Sequence, residues 1–150
     1  MPSTIAFPDN FPASGRRQRA AADNDTPTPV ITDDHLAAGM EAFFNVMKAW
    51  KVSNDDARAL LGAPSRATLF NWKRGAVKTL PHDTVTRLSY VLGIYKDLQV
   101  LYSDPAMADG WVNRRNALLG GQTALERMLA GDVTDLAAVR ELLDQARGGW

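Results

Sequence analysis

Side chains of the types that can bind nucleic acid are concentrated between residues 66 and 78 of a chain whose formal net charge is zero. Arginine and asparagine form paired hydrogen bonds with base edges in the major groove, and cationic side chains bind phosphate. We therefore expect Arg66 and Asn71 to read bases and the cations that follow them to hold the DNA backbone. The predicted DNA contacts are Arg66, Thr68, Asn71, Lys73, Arg74 and Lys78.

The distribution of charge along the chain supports this interpretation. Residues 51–90 contain seven basic and three acidic side chains, a net charge of +4, whereas residues 91–150 contain six basic and eight acidic ones, a net charge of −2. A positive segment joined to a negative one suits a protein that binds phosphate with one part and a different partner with the other. Chance clustering of seven bases is the alternative.

Residues that would support catalysis are scarce. The chain has no cysteine, and its two histidines, His35 and His82, lack the spacing of a metal site. No nucleophile elbow, phosphate-binding loop or dinucleotide fingerprint occurs. We predict a protein that is not an enzyme, with no catalytic residues, no metal and no cofactor.

The apolar runs are shorter than a bilayer span, and the first residues lack the continuous hydrophobic segment of a secretory signal. These features predict a soluble cytoplasmic protein with no membrane partner.

The elements that must position these side chains are all helical. Residues 1–31 hold five of the eight prolines among small polar residues, a composition that predicts a disordered tail. After Thr32, a predicted N-cap, apolar residues recur at spacings of three and four, and glycines separate the helical stretches. We predict an all-α protein with helices at 32–50, 53–61, 66–74, 82–101, 105–119, 123–130 and 134–147, and a weak point at Gly93 in the fourth.

Residues 54–75 predict a helix-turn-helix. Ala57 is small enough for two helices to cross, Gly62 suits the turn, and Leu69 and Trp72 face the core. The stretch resembles the phage-repressor-like helix-turn-helix of the Xre class, in which the recognition helix ends in Trp-x-x-Gly, here Trp72 to Gly75. The turn is one residue longer than the common form, a departure that would tilt the recognition helix and weaken base-specific reading.

The sequence from Trp111 to Leu125 contains a helix that stops at Gly120-Gly121 and a second helix that starts on Thr123. The tryptophan-led helix, the Leu-Gly-Gly joint and the two leucine-bearing helices that follow resemble the toxin-binding domain of the Xre/MbcA/ParS antitoxins. Together with the helix-turn-helix, the resemblance covers roughly residues 35–150. Proline usually follows the joint in that family, whereas Thr123-Ala124 stands here.

The resemblance implies a helix-turn-helix domain at 32–102 and a toxin-binding domain at 103–150. It implies an antitoxin that covers the active-site cleft of a RES-domain toxin, an enzyme that consumes NAD. It also implies a homodimer that binds operator DNA and represses its own operon.

The last helix suggests where a toxin binds. Arg140 and Arg147 lie seven residues apart on one helix face, and two glycines precede the terminal aromatic residue. The predicted toxin contacts are Asn113, Arg114, Arg140, Arg147, Gly148, Gly149 and Trp150. Alternatively, Trp150 folds back onto its own helix, and residues 113–116 form a solvated face.

Two other functional classes fit the same residues. One is a dimeric helix-turn-helix regulator without a toxin partner, and the other is an interaction module that no longer reads DNA. Dimerisation is predicted through the helix at 82–102, on side chains expected to be exposed: Tyr95, Val100, Leu101 and Tyr102.

Overall fold

The computed structural model describes residues 33–148, and within this range the chain is helical and forms no strand. The helices are α1 Asp33–Trp50, α2 Asn54–Leu60, α3 Arg66–Lys73, α4 His82–Leu101, α5 Pro105–Gly110, α6 Ala124–Met128 and α7 Val133–Ala146, with 3-10 turns at Trp111–Asn113 and Ala117–Leu119. The all-α prediction is confirmed. The predicted tail at 1–31 and the Thr32 cap lie outside the described residues.

Helix α4 lies at the centre of the fold and packs against α1, α5 and α7. Leu88, Ile94 and Leu98 of this helix are fully buried in one apolar core that extends from α1 to α7. Tyr95 is buried as well, so the expectation that it is exposed was wrong: the face of α4 that carries it is covered within the same chain. Val100, near the end of α4, is exposed.

Gly93 does not interrupt α4, which continues through it to Leu101. A Cβ atom at this position would overlap the guanidinium group of Arg140 on α7. The glycine therefore gives Arg140 room to cross α4, and the predicted weak point is a site of close helix packing.

Side-chain caps define the short C-terminal helices. Asp104 caps α5 ahead of Pro105, as predicted, because proline is favoured at a first helical position. Thr123 caps α6 in a reciprocal capping box with Glu126. The last helix is capped in a similar way by Asp132 with Asp135, so that it begins at Val133, one residue before the predicted start.

The helix that starts at Pro105 is shorter than predicted. It ends at Gly110, a single 3-10 turn follows, and the backbone is extended at Arg114. Arg115 and Thr123 then form an isolated antiparallel bridge. Asparagine side chains hold this non-helical path. Asn113 donates to the carbonyl of Trp50 at 2.9 Å, and Asn116 accepts from the amide of Leu118 at 2.9 Å, a local bond that competes with helical hydrogen bonding.

Candidate functional site

Helices α2 and α3 form a helix-turn-helix whose long turn is held by backbone hydrogen bonds. The amide of Gly62 donates to the carbonyl of Ala59 at 3.2 Å, and the amide of Ala63 donates to that of Arg58 at 2.7 Å. This pair of bonds is a Schellman motif, with Gly62 in the left-handed conformation at a φ of 91°; the next residue, Ala63, is left-handed as well, at a φ of 62°. The Arg58 side chain also donates to the carbonyl of Pro64 at 2.9 Å. The extra residue is thus accommodated in an ordered turn.

Helix α3, the predicted recognition helix, is anchored at its start and along one side. Ser65 is its N-cap, and its Oγ atom accepts from the amide of Thr68 at 3.1 Å. Leu69 and Trp72 are 4% and 8% exposed, and α3 packs on α1 through this side. The prediction that Trp72 belongs to the core is confirmed.

The exposed side of α3 carries most of the predicted DNA contacts. At about 100° per residue, Phe70, Asn71 and Arg74 lie on the face opposite Leu69 and Trp72. Arg66, one turn before Phe70, is exposed too, whereas Thr68 is half-buried and bonded to Ser65. Lys78 lies beyond the helix and is exposed.

The polar side chains on this face contact exposed polar groups and, in the case of Lys73, the half-buried ring of Phe44. Arg66 lies 3.2 Å from a carboxylate oxygen of Asp55, and Arg74 donates to Asn71 at 3.1 Å. Lys73 donates to Asn54 at 3.1 Å and lies over the ring of Phe44, at 5.8 Å from the ring centroid. Exposed ion pairs contribute at most about 1 kcal/mol, so these groups exchange readily for phosphate or base partners.

Phe70 was not among the predicted contacts, although its ring is 65% exposed. Its position opposite Leu69 and Trp72 on the helix is visible in the sequence: it is a large apolar residue on a face that otherwise carries polar side chains and the small Ala67.

Two of the predicted toxin contacts, Asn113 and Arg114, hold the chain in place where it leaves α5. Asn113 donates to the carbonyl of Trp50, and Arg114 donates to the carbonyl of Met107 at 2.9 Å. Both residues are exposed, but these hydrogen bonds are made within the chain.

The predicted contacts Arg140 and Arg147 converge on the buried carboxylate of Asp97. Arg147 donates to one oxygen at 2.7 Å, and Nε of Arg140 lies 3.3 Å from the other and 3.1 Å from Asp144. Arg140 is mostly buried, whereas Arg147 is 39% exposed. Gly148 follows at the exposed end of α7, and Gly149 and Trp150 lie outside the described residues.

Burial raises the pKa of Asp97 to about 6. Hydrogen bonding with the Asp144 carboxyl contributes to this rise in the pKa, and the hydrogen bond from Arg147 limits it. A titratable charge therefore joins α4 to α7.

A groove of about 480 Å³ opens beside the end of α7. Leu118 in its wall is a large apolar side chain that is 76% exposed. The lining residues are Leu101, Tyr102, Trp111, Asn116, Leu118, Leu142, Leu143, Gln145 and Ala146. Sequence reasoning missed this groove because it depends on the loop that replaces the second half of the predicted helix at 105–119.

Within residues 33–148, no cluster of histidine and carboxylate side chains has the arrangement of a metal site. None of the helices in this range combines the length and the hydropathy that a membrane crossing requires.

Comparison with known proteins accounts for both halves of this arrangement. The antitoxin Xre-like helix-turn-helix domain matches residues 30–93, and the antitoxin Xre/MbcA/ParS C-terminal toxin-binding domain matches residues 97–149. The chain is also 44% identical over 122 residues to the uncharacterized protein y4oB of Sinorhizobium fredii, covering 81% of this chain and 94% of that protein. No solved structure matches the chain.

The chain therefore belongs to the Xre/MbcA/ParS antitoxin family, and it combines a helix-turn-helix with a toxin-binding domain. The boundary between the two matches, at residues 93–97, falls inside α4.

Proposed function

We propose that this antitoxin neutralises a RES-domain toxin, an enzyme that consumes NAD, by covering its active-site cleft with the C-terminal module. In the same proposal the antitoxin is a homodimer that represses its own operon through the helix-turn-helix. The antitoxin itself has no catalytic role.

One observation carries the proposal: each matched segment has an exposed surface that the core of the protein does not use. The first is the cationic outer face of α3, and the second is the groove with the exposed Leu118. They lie in separate segments of the chain, so one antitoxin has a surface for DNA and another for an enzyme.

The groove adds to the toxin contacts predicted from sequence. Arg147, which is 39% exposed, and Gly148 follow in the chain directly after Ala146, which lines the groove. A surface with an apolar centre and a charged rim is typical of protein interfaces. In this proposal Asn113, Arg114 and Arg140 hold the surface in shape, and Arg147 to Trp150 contact the toxin directly.

The toxin arm is tested by expressing the antitoxin together with the enzyme encoded beside its gene. We expect the enzyme to stop growth and deplete NAD when expressed alone, and the antitoxin to co-purify with it and restore both. Leu118→Asp should abolish this rescue because it places a charge in the apolar groove. Met107→Asp, at another exposed apolar position outside the groove lining, is the matched control and should rescue.

Removal of Gly148 to Trp150 tests the end of the chain and should weaken neutralisation while leaving the fold intact. A partner that co-purifies but does not consume NAD would refute the RES assignment alone. DNA binding with no partner at all would favour the regulator that lacks a toxin.

The DNA arm is tested by titrating the antitoxin with a duplex from its own promoter at several salt concentrations. Each phosphate contact contributes about 0.9 to the slope of log affinity against log salt, so Lys73→Ala with Arg74→Ala should lower the slope by about 2. Lys96→Ala, at an exposed lysine on α4, is the charge control and should leave the slope unchanged. An unchanged slope in the double variant would refute the phosphate assignment.

Dimerisation is tested by measuring the mass in dilute solution. Since Tyr95 is buried, the exposed Val100 is the remaining prominent apolar side chain of the predicted α4 surface. Val100→Asp should yield a monomer if this surface pairs two copies.

A further inference from the structure

Phe70 lies at the centre of the exposed face of α3. It is 65% exposed, with Arg66 one turn before it and Arg74 one turn after it. Asn71 is adjacent on the outer side. The phenyl ring is thus surrounded by the hydrogen-bonding groups of the recognition helix.

The fold does not account for this ring. The inner side of α3 is closed by Leu69 and Trp72, which are nearly fully buried, and Lys73 covers the ring of Phe44 beside them. An exposed phenyl group contributes little to folding, because burial from water is the source of its stabilisation. Its place in the middle of a cationic face points to a partner that has both phosphate and an apolar group.

DNA presents that combination in the major groove. The 5-methyl group of thymine is the apolar group among the base edges there, and apolar side chains contact it directly. Phosphates flank the groove on both sides, and residues 51–90, which include the helix-turn-helix, have a net charge of +4. In such a complex the ring of Phe70 would contact a thymine methyl group, and Arg66 and Arg74 would contact the phosphates on either side of the groove.

We propose that Phe70 is a specificity-determining residue, which reads thymine 5-methyl groups in the operator while Arg66 and Arg74 hold the helix in the groove. This inference rests on the proposed function, because it requires α3 to enter the major groove. It adds that the operator has thymine opposite the middle of α3.

The test compares two duplexes of the promoter region upstream of the antitoxin gene, one containing thymine and one containing deoxyuridine in its place. The two differ only in the methyl groups. We expect the full-length protein to bind the thymine duplex about fourfold more tightly for each methyl group contacted. Phe70→Ala should bind both duplexes equally, with the salt slope of the unchanged protein.

Met107→Ala, at an exposed apolar residue of α5 away from α3, is the matched control and should discriminate as the unchanged protein does. Far-UV circular dichroism verifies that each variant is folded. Equal affinity of the unchanged protein for both duplexes, or full discrimination by Phe70→Ala, would overturn the inference about Phe70. Neither result would contradict the proposal that the helix-turn-helix binds DNA. Failure to bind either duplex at low salt would overturn the inference together with the DNA arm of the proposed function.

Discussion

Asp97 shows how one buried carboxylate couples the stability of the antitoxin to pH. Its side chain is 1% exposed, and Arg140, Asp144 and Arg147, all from α7, face it. Because burial raises its pKa to about 6, the folded chain retains the proton more tightly than the unfolded chain does. Stability should therefore rise as the pH falls through about 6 towards the pKa of 3.8 of a free aspartate.

We predict that Asp97 contributes about 1 kcal/mol more to the free energy of unfolding at about pH 5 than at about pH 7. Asp97→Asn should remove this difference, since an amide does not titrate. Urea unfolding at the two pH values measures it. Glu141→Gln, at an exposed carboxylate on α7, is the control and should keep the pH dependence of the unchanged protein. An identical pH dependence in Asp97→Asn would contradict the assignment.

Gly93 and Arg140 form a second pair whose coupling is measurable. A Cβ atom at residue 93 would displace the Arg140 guanidinium from Asp97, so Gly93→Ala should destabilise the protein by about 1–3 kcal/mol.

In an Arg140→Ala background the space is free. The same Gly93→Ala change should then stabilise α4 by about 0.5–1 kcal/mol, because alanine is the better helix former. Thermal or urea unfolding of the four proteins in this double-mutant cycle gives the coupling. A cost that is the same in both backgrounds would show that Arg140 is not the obstacle.

Ser65 caps the start of α3, the predicted recognition helix. Its hydroxyl satisfies the amide of Thr68 at the point where the long turn passes into α3. Ser65→Ala should lower the free energy of unfolding by about 1 kcal/mol. Ser103→Ala, at an exposed serine between α4 and α5, is the control and should change stability little. Equal stability of the two variants would mean that the turn alone sets the start of α3.

The elements that carry strong local signals were predictable from the sequence. Helix α4 and the caps at Asp104 and Thr123 follow from apolar spacing and cap chemistry, and they stand where those patterns put them. The helix predicted for 105–119 was wrong after Gly110. Asn113 bonds to Trp50, sixty-three residues away in sequence, and no local pattern contains that partner.

The same limit applies to the candidate site. The exposed face of α3 follows from helical periodicity, and Phe70 was visible there as an apolar residue on a polar face. The groove could not be predicted without knowing how α7 packs on α4. The spacing of Arg140 and Arg147 predicted that they share one helix face, but it did not predict that both bind Asp97.

One hydrophobic core extends through both family domains, because α1 and α7 both pack on α4. We therefore predict a single cooperative unfolding transition. Leu136→Ala, which truncates a fully buried side chain of α7, should cost about 2–5 kcal/mol. With Trp111 and Trp150 replaced by Phe, it should also lower the unfolding midpoint reported by Trp50 and Trp72 in the N-terminal half.

Tryptophan fluorescence and far-UV circular dichroism, recorded during urea unfolding, measure this effect. Leu118→Ala, at an exposed leucine, is the control and should leave the midpoint nearly unchanged. Two separate transitions, of which Leu136→Ala moves only one, would contradict the single core.

Because α4 belongs to both matched segments, the antitoxin has no domain boundary in a loop at which it could be divided. A chimaera spliced at the boundary between the matches would join two half-helices whose packing surfaces come from different parents. A functional graft must carry α4 together with the faces of α1 and α7 that cover it. A recombinant between two related antitoxins should accordingly keep this helix intact, so that the helix-turn-helix and the toxin-binding domain are inherited together.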